Sequence, residues 1–216
     1  TDSISATALA ALASVHPDPE RDPALDKDPV DLDLPPWQRG RYGTAVGRAV
    51  HAVLQFCDLD TGADIGAHAA AQCAAEGILG HDDLVARLAR SAIAAPIVRS
   101  ALGLTHHREL FVAAPIAGRV IEGYIDLYVE TSDGGVIVDY KTDQWFDDRE
   151  RDRRIANYRT QLAAYAVALE QITGVAPVAG VLVRCIADGP SEQIDIPGWA
   201  AAITTARDAI AAAGAV

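Results

Sequence analysis

The stretch Val136-Ile137-Val138-Asp139-Tyr140-Lys141 decides how this chain is read. An apolar run enters from a core and closes on an acid and a lysine two residues apart. Residues two apart on a strand point to the same face, so Asp139 and Lys141 present a carboxylate beside a cation. A strand apolar at consecutive positions is central and covered on both faces. A metal ligand next to a cation is the combination that metal-dependent phosphodiester cleavage needs. Alone, Asp-x-Lys also fits many exposed strand ends. Its weight comes from His51 upstream, Asp126 on the preceding strand, and Gln161 and Tyr165 on the following helix.

Working outward, 119–130 alternates cleanly. Ile121, Ile125, Leu127 and Val129 fall on one face, and Glu122, Tyr124, Asp126 and Tyr128 on the other. Ser132-Asp133-Gly134-Gly135 then signals a turn. With an even loop, Asp126, Asp139 and Lys141 share a face. A loop at Ser132-Asp133 puts Asp126 opposite Asp139, and one at Asp133-Gly134 puts it opposite Lys141. An odd loop breaks the arrangement. Two converging carboxylates repel, and a divalent cation relieves that repulsion; oxygen ligands favour magnesium or manganese. The bland alternative is a solvated strand face carrying ordinary charges.

Helical spacing predicts helices over 44–57, 63–75, 82–93 and 96–102. Strands are expected at 109–113, 119–130 and 135–141, a long helix over 151–172, a strand at 178–186 and a last helix over 197–213. The order describes an α/β layer fold with a mixed sheet and an added N-terminal helical region. Residues 1–36, rich in proline and aspartate, read as a linker or an arm packed on a neighbour; residues 37–216 read as one domain.

The 216 residues suffice for one full core, and an apolar fraction of 50% marks a globular chain. The chain starts at Thr1 and contains no methionine, so a fragment of a longer protein is expected. No stretch reaches the length of a membrane span. Cys57, Cys73 and Cys185 are odd in number and far apart. That argues against a disulfide framework and for a reducing, cytoplasmic location; their spacing excludes zinc and iron–sulfur sites. Net charge is −12, and residues 1–33 carry half of it, with eight acids against two bases. Apart from Arg149, Arg151, Arg153, Arg154 and Arg159, no basic surface is foreseen, so a second component is expected to hold any DNA substrate.

His51 lies beside the apolar stripe of the first helix, with Gly47 one turn before it leaving space around the ring. Its alternative is a half-buried histidine with a backbone partner. Imidazole suits manganese better than magnesium. His106 and His107 read as loop residues. Tyr158, Gln161 and Tyr165 share one helix face; tyrosines there are usually core, while a buried amide requires partners.

Taken in order, these residues resemble the RecB-type nucleases of the PD-(D/E)XK superfamily. The family pattern is carried by Gly43, Gly47 and His51, then Gly123 to Asp126, then Asp139-Tyr140-Lys141-Thr142, then Gln161 and Tyr165. Glu109 falls where the family often carries an acid on its first strand. The segment looks like the C-terminal nuclease domain of a UvrD/Rep-like helicase–nuclease of the AddA and RecB type. The resemblance implies that His51, Asp126, Asp139 and the Tyr140 carbonyl bind one or two Mg2+ or Mn2+ ions. It implies that Lys141 orients or deprotonates water or stabilises the transition state, and that Gln161 and Tyr165 position the lysine or the DNA backbone. The implied partners are DNA, a helicase domain of the same parent chain, where ATP would act, and a partner subunit. The four-cysteine iron–sulfur staple of some relatives is excluded. The rival reading is a non-catalytic module that senses DNA ends or docks within a repair complex.

Overall fold

In this computed structural model the described residues are 3–6 and 44–214. Helix α1 (Ala45–Phe56) starts where the Thr44 hydroxyl accepts from Gly47 N at 3.1 Å. It is followed by α2 (Ile65–Ala75), α3 (Asp82–Ile93) and α4 (Pro96–Ala101), which opens on proline. These four make the expected N-terminal helical region. Helix α5 (Asp148–Thr173) is capped by the Asp147 carboxylate at its start and stopped by Gly174 in the left-handed region. Helix α6 spans Trp199–Gly214.

The strands are β1 (Ser3–Ser5), β2 (His106–Ile116), β3 (Arg119–Thr131), β4 (Gly134–Lys141), β5 (Ala179–Arg184) and β6 (Glu192–Asp195). They form one mixed sheet in which β3–β4 is antiparallel, β4–β5 parallel through the α5 crossover, and β5–β6 antiparallel. The fold is the expected α/β arrangement, with α1–α4 on one face and α5–α6 on the other. Val136, Val138 and Tyr140 enter the first core and Ile137 the second, so β4 is central as read. All three cysteines are free and buried. No helix among the described residues is long and apolar enough to cross a membrane.

Several expectations are corrected. His106 and His107 open β2 and are not loop residues; they pair with Val129 and Tyr128. Strand β6 has no counterpart among the expected elements, because four residues beside a turn carry too little pattern. Ser3–Ser5 falls within the stretch read as an arm, yet pairs with β3; residues 1–2 and 7–36, the rest of that arm, lie outside the described residues, as does Gly43.

The largest correction concerns β3. Ile121 and Ile125 pack into the α5–α6 core, whereas Leu127 and Val129 pack into the α1–α4 core. The alternation therefore switches face at Asp126. Strand β2 switches with it: Leu110 and Val112 join the α5–α6 core, while Arg108 Nη1 donates to Leu54 O and Cys57 O at the end of α1. Between them sits Glu109, in register with Asp126, with φ 48. Left-handed backbone is rare for a glutamate and rotates the chain between its neighbours.

Candidate active site

The hairpin loop is Ser132-Asp133, since Thr131 pairs with Gly134. That register runs Asp126 toward Asp139, the first of the two alternatives. The ladder, however, ends at the Leu127–Val138 pair. Beyond it β4 parts from β3, and the outer half of that β3 edge is taken by β1 at Val120 to Glu122. The parting leaves Tyr140 N without a strand partner, and Asp126 Oδ2 accepts from it at 2.7 Å. Lys141 O, one residue on, accepts from Cys185 N on the β5 side. The Tyr140 carbonyl therefore faces the gap, as its own amide does.

Two groups of side chains meet at this gap. From the α1 side, His51 Nδ1 lies 3.1 Å from Asp126 Oδ1. His51, Glu109 and Asp126 each offer a donor atom, all within 4.8 Å of one another. From the α5 side, Lys141 Nζ lies 2.7 Å from Asp139 Oδ2 and 4.4 Å from the centre of the Tyr158 ring. Tyr158 in turn donates its hydroxyl to Asp143, which Arg154 Nη1 also reaches at 3.2 Å. The loop after β4 is thereby tied to α5.

The motif glycines have physical roles here. A Cβ on Gly47 would stand 3.2 Å from Thr142 Oγ1, so this glycine makes room for the threonine of Asp-Tyr-Lys-Thr; helical spacing alone assigns that room to His51. A Cβ on Gly123 would stand 2.7 Å from Tyr165 Cε1 and 2.8 Å from its hydroxyl. Tyr165 thus lies across the β3 backbone at Gly123, three residues before Asp126. Gly123→Ala is expected to destabilise the fold by about 1–3 kcal/mol through this overlap. Thermal denaturation checks it, and adding Tyr165→Phe is expected to restore part of the loss.

Burial and charge push the site's groups apart. Burial works to lower the His51 pKa, but the charge and hydrogen bond of Asp126 prevail and raise it to about 9. Burial likewise opposes ionisation of Asp126, yet His51 and Lys141 hold its carboxyl below the usual range. Asp139 is pushed up to about 6, mainly by burial and despite Lys141. Burial disfavours the charge on Lys141, but Asp139 outweighs it and holds the amine above its usual pKa. Carboxylates driven in opposite directions mark acid–base and metal chemistry.

The His51 shift has a consequence for metal-free protein. Its folded pKa of about 9 exceeds the ordinary 6.5. The stabilisation is complete below pH 6.5 and is lost as pH rises through 9. In chelator, Tm is expected to fall across that window, and Asp126→Asn is expected to flatten the fall. A wild-type Tm that stays level there contradicts the pairing.

Of the residues that the sequence pattern picks out, His51, Asp126, Asp139, Tyr140 and Lys141 gather around the gap, with Tyr165 packed on β3 at Gly123; Gln161 lies one turn before Tyr165 on α5. The pattern leaves Glu109 outside the ligand set and Tyr158 in the core. Glu109 gives no signal beyond its position on the first main strand. Tyr158 could be suspected from its place one turn before Gln161 on the same helix face. Of the arginines read as a basic stretch, Arg151 pairs with Glu192 and Arg154 with Asp143 and Glu150.

A family model described as the PD-(D/E)XK nuclease superfamily matches residues 31–212. An ATP-dependent helicase/nuclease subunit of Streptococcus equi subsp. zooepidemicus is 28% identical over 191 residues, 75% of this chain and 15% of that protein. The protein of the same description from Clostridium novyi is 42% identical over 55 residues, 26% of this chain and 4% of that one. This chain therefore spans only a small part of the length of these relatives. The crystal structure of SSO0001 covers 60% of this chain and 68% of its own, at 19% identity and a TM-score of 0.32. That likeness is too loose to carry an argument.

Proposed function

Since the chain belongs to the PD-(D/E)XK nuclease superfamily, we propose that it is a Mg2+- or Mn2+-dependent deoxyribonuclease domain that hydrolyses DNA phosphodiesters as an exonuclease. The observation that carries this reading is the His51, Glu109 and Asp126 cluster beside the Asp139–Lys141 pair. One imidazole and two carboxylates within 4.8 Å fit a hard divalent ion with borderline character, and favour manganese over magnesium. Asp139 and the Tyr140 carbonyl complete the set that would hold one or two ions. When bound, such an ion neutralises charge on the phosphate and makes water more acidic.

The remaining roles belong to the chain. Asp126 orients His51 and holds β4 by its Tyr140 amide. Lys141, kept protonated by Asp139, acts as a fixed cation toward charge developing on the phosphate and not as a base. Tyr158 supports the lysine from below. Gln161 and Tyr165 set the β3 backbone beside Asp126 and position the DNA backbone.

The similarity to two ATP-dependent helicase/nuclease proteins supports a place in a helicase–nuclease; our reading gives that assembly a role in DNA double-strand break repair and recombination. ATP would act at the helicase domain of the parent chain, with a partner subunit, in the cytoplasm. The test is degradation of end-labelled single-stranded DNA by the chain in manganese. Cleavage that chelator abolishes and manganese restores is expected. Absence of cleavage together with a Tm indifferent to manganese would overturn the reading in favour of a docking module.

A further inference from the structure

Phe111 and Tyr124 are cross-strand partners on β2 and β3. Their ring centroids are 5.1 Å apart at 50°, and the residues are 53% and 52% exposed. Their facing follows from the switch at Glu109 and Asp126. Leu110, Val112, Ile121 and Ile125 all enter the α5–α6 core. Phe111 and Tyr124 alternate with these and so face the opposite side. That is the side from which His51 reaches Asp126. Phe111 lies two residues along its strand from Glu109 and Tyr124 two from Asp126, a backbone rise of about 6.6 Å in a regular strand. An aromatic pair thus continues the cluster along the same sheet face, where the helical layer leaves it in solvent.

A solvated sheet face ordinarily carries polar residues. Two adjacent aromatic rings exposed beside a candidate phosphodiester-cutting centre suit one ligand chemistry in particular. Bases of an unpaired strand stack on aromatic rings with little regard to sequence. Bases in a duplex keep their faces stacked on each other and offer none. Electrostatic grip on phosphates is weak in a chain of net charge −12, and stacking supplies attraction that does not depend on it.

We propose that Phe111 and Tyr124 form a base-stacking platform that holds an unpaired DNA strand with its neighbouring phosphodiester at the His51, Glu109 and Asp126 cluster. The platform makes the site select single-stranded over duplex DNA. This rests on the nuclease reading above, and the test separates the two.

Fluorescent oligothymidylate and a blunt duplex are titrated against the chain, with calcium in place of manganese to suppress cleavage. Cleavage of the oligothymidylate is measured separately in manganese. The Phe111→Ala/Tyr124→Ala double variant is expected to bind oligothymidylate about tenfold more weakly or worse. Its duplex affinity and Tm are expected to stay unchanged, and in cleavage KM rises with little change in kcat. Phe111→Tyr and Tyr124→Phe are expected to behave as wild type. Iodouracil placed in the strand is expected to cross-link to Phe111 or Tyr124. Wild-type affinity in the double variant overturns the platform and leaves the nuclease standing, as does an equal loss for single strands and duplex. A lowered Tm with DNA binding intact also overturns it and assigns the rings to a protein contact. No measurable wild-type binding of oligothymidylate overturns it as well. Wild-type binding that the double variant loses, without cleavage by either, keeps the platform and sinks the nuclease.

Discussion

Asp126→Ala is expected to reduce manganese-dependent cleavage by about a thousandfold or more, the largest effect of any single substitution here. The carboxylate has three tasks at once. It is a member of the cluster with His51 and Glu109, it pairs with His51 at 3.1 Å, and it accepts from Tyr140 N at 2.7 Å. Removing it leaves His51 without its counter-charge and a buried amide unpaired, which costs about 1–3 kcal/mol of stability. Isothermal titration with manganese is expected to show lost binding alongside lost activity. Asp126→Asn separates the tasks, because it can still accept from Tyr140 N while its charge is gone. The asparagine variant is expected to recover stability and not cleavage. Near-normal cleavage in Asp126→Asn would remove Asp126 from the metal set.

Lys141→Ala is expected to lower cleavage by about a hundred- to a thousandfold, with manganese binding retained. Retention sets it apart from Asp126→Ala, since the lysine is a cation near the ligands and not one of them. Asp139 is buried and Lys141 largely so, and breaking such a pair from one side leaves a charge in the interior at a cost of up to about 3–5 kcal/mol. Asp139 limits the loss by taking up a proton, its pKa already standing at about 6. Thermal unfolding near pH 5 is therefore expected to show a smaller deficit than at pH 8. The Asp139→Asn/Lys141→Met variant is expected to regain stability without activity. Lys141→Arg is not expected to rescue, because a planar guanidinium fork places its charge and donors differently from a compact ammonium. Full activity in Lys141→Ala would sink the cationic role.

The elements are legible wherever periodicity is strong. Strand β4 reads as central because Val136, Ile137 and Val138 leave no polar face, and both cores take residues from it. Helix α3 begins and ends where its apolar stripe does. The loop is even, yet the shared face that an even loop implies for Asp126, Asp139 and Lys141 is not met, because the ladder ends at Leu127 and Val138 and β3 switches face at Asp126. His51 is legible only through the company it keeps, since nothing in the periodicity of α1 distinguishes a ligand from a core histidine. The short β6 and the strand placement of His106 and His107 are not, because edge strands of polar composition lack an alternating signal.

The sequence by itself determined the layer order, the central strand and the residues that carry charge and imidazole to one end of it. Those follow from side-chain period and from residue chemistry, which are local. Only the tertiary structure decided how they meet. The face switch at Glu109 and Asp126 depends on a left-handed glutamate that no propensity foretells. That switch turns Asp126 toward His51 while Asp139 and Lys141 remain toward Tyr158, and it brings Glu109 into the cluster. Gly47 serves Thr142 and Gly123 serves Tyr165 for the same reason: each glycine answers to a residue far away in the chain. Packing between distant segments set these contacts, and packing is the part of the physics that a linear pattern does not contain.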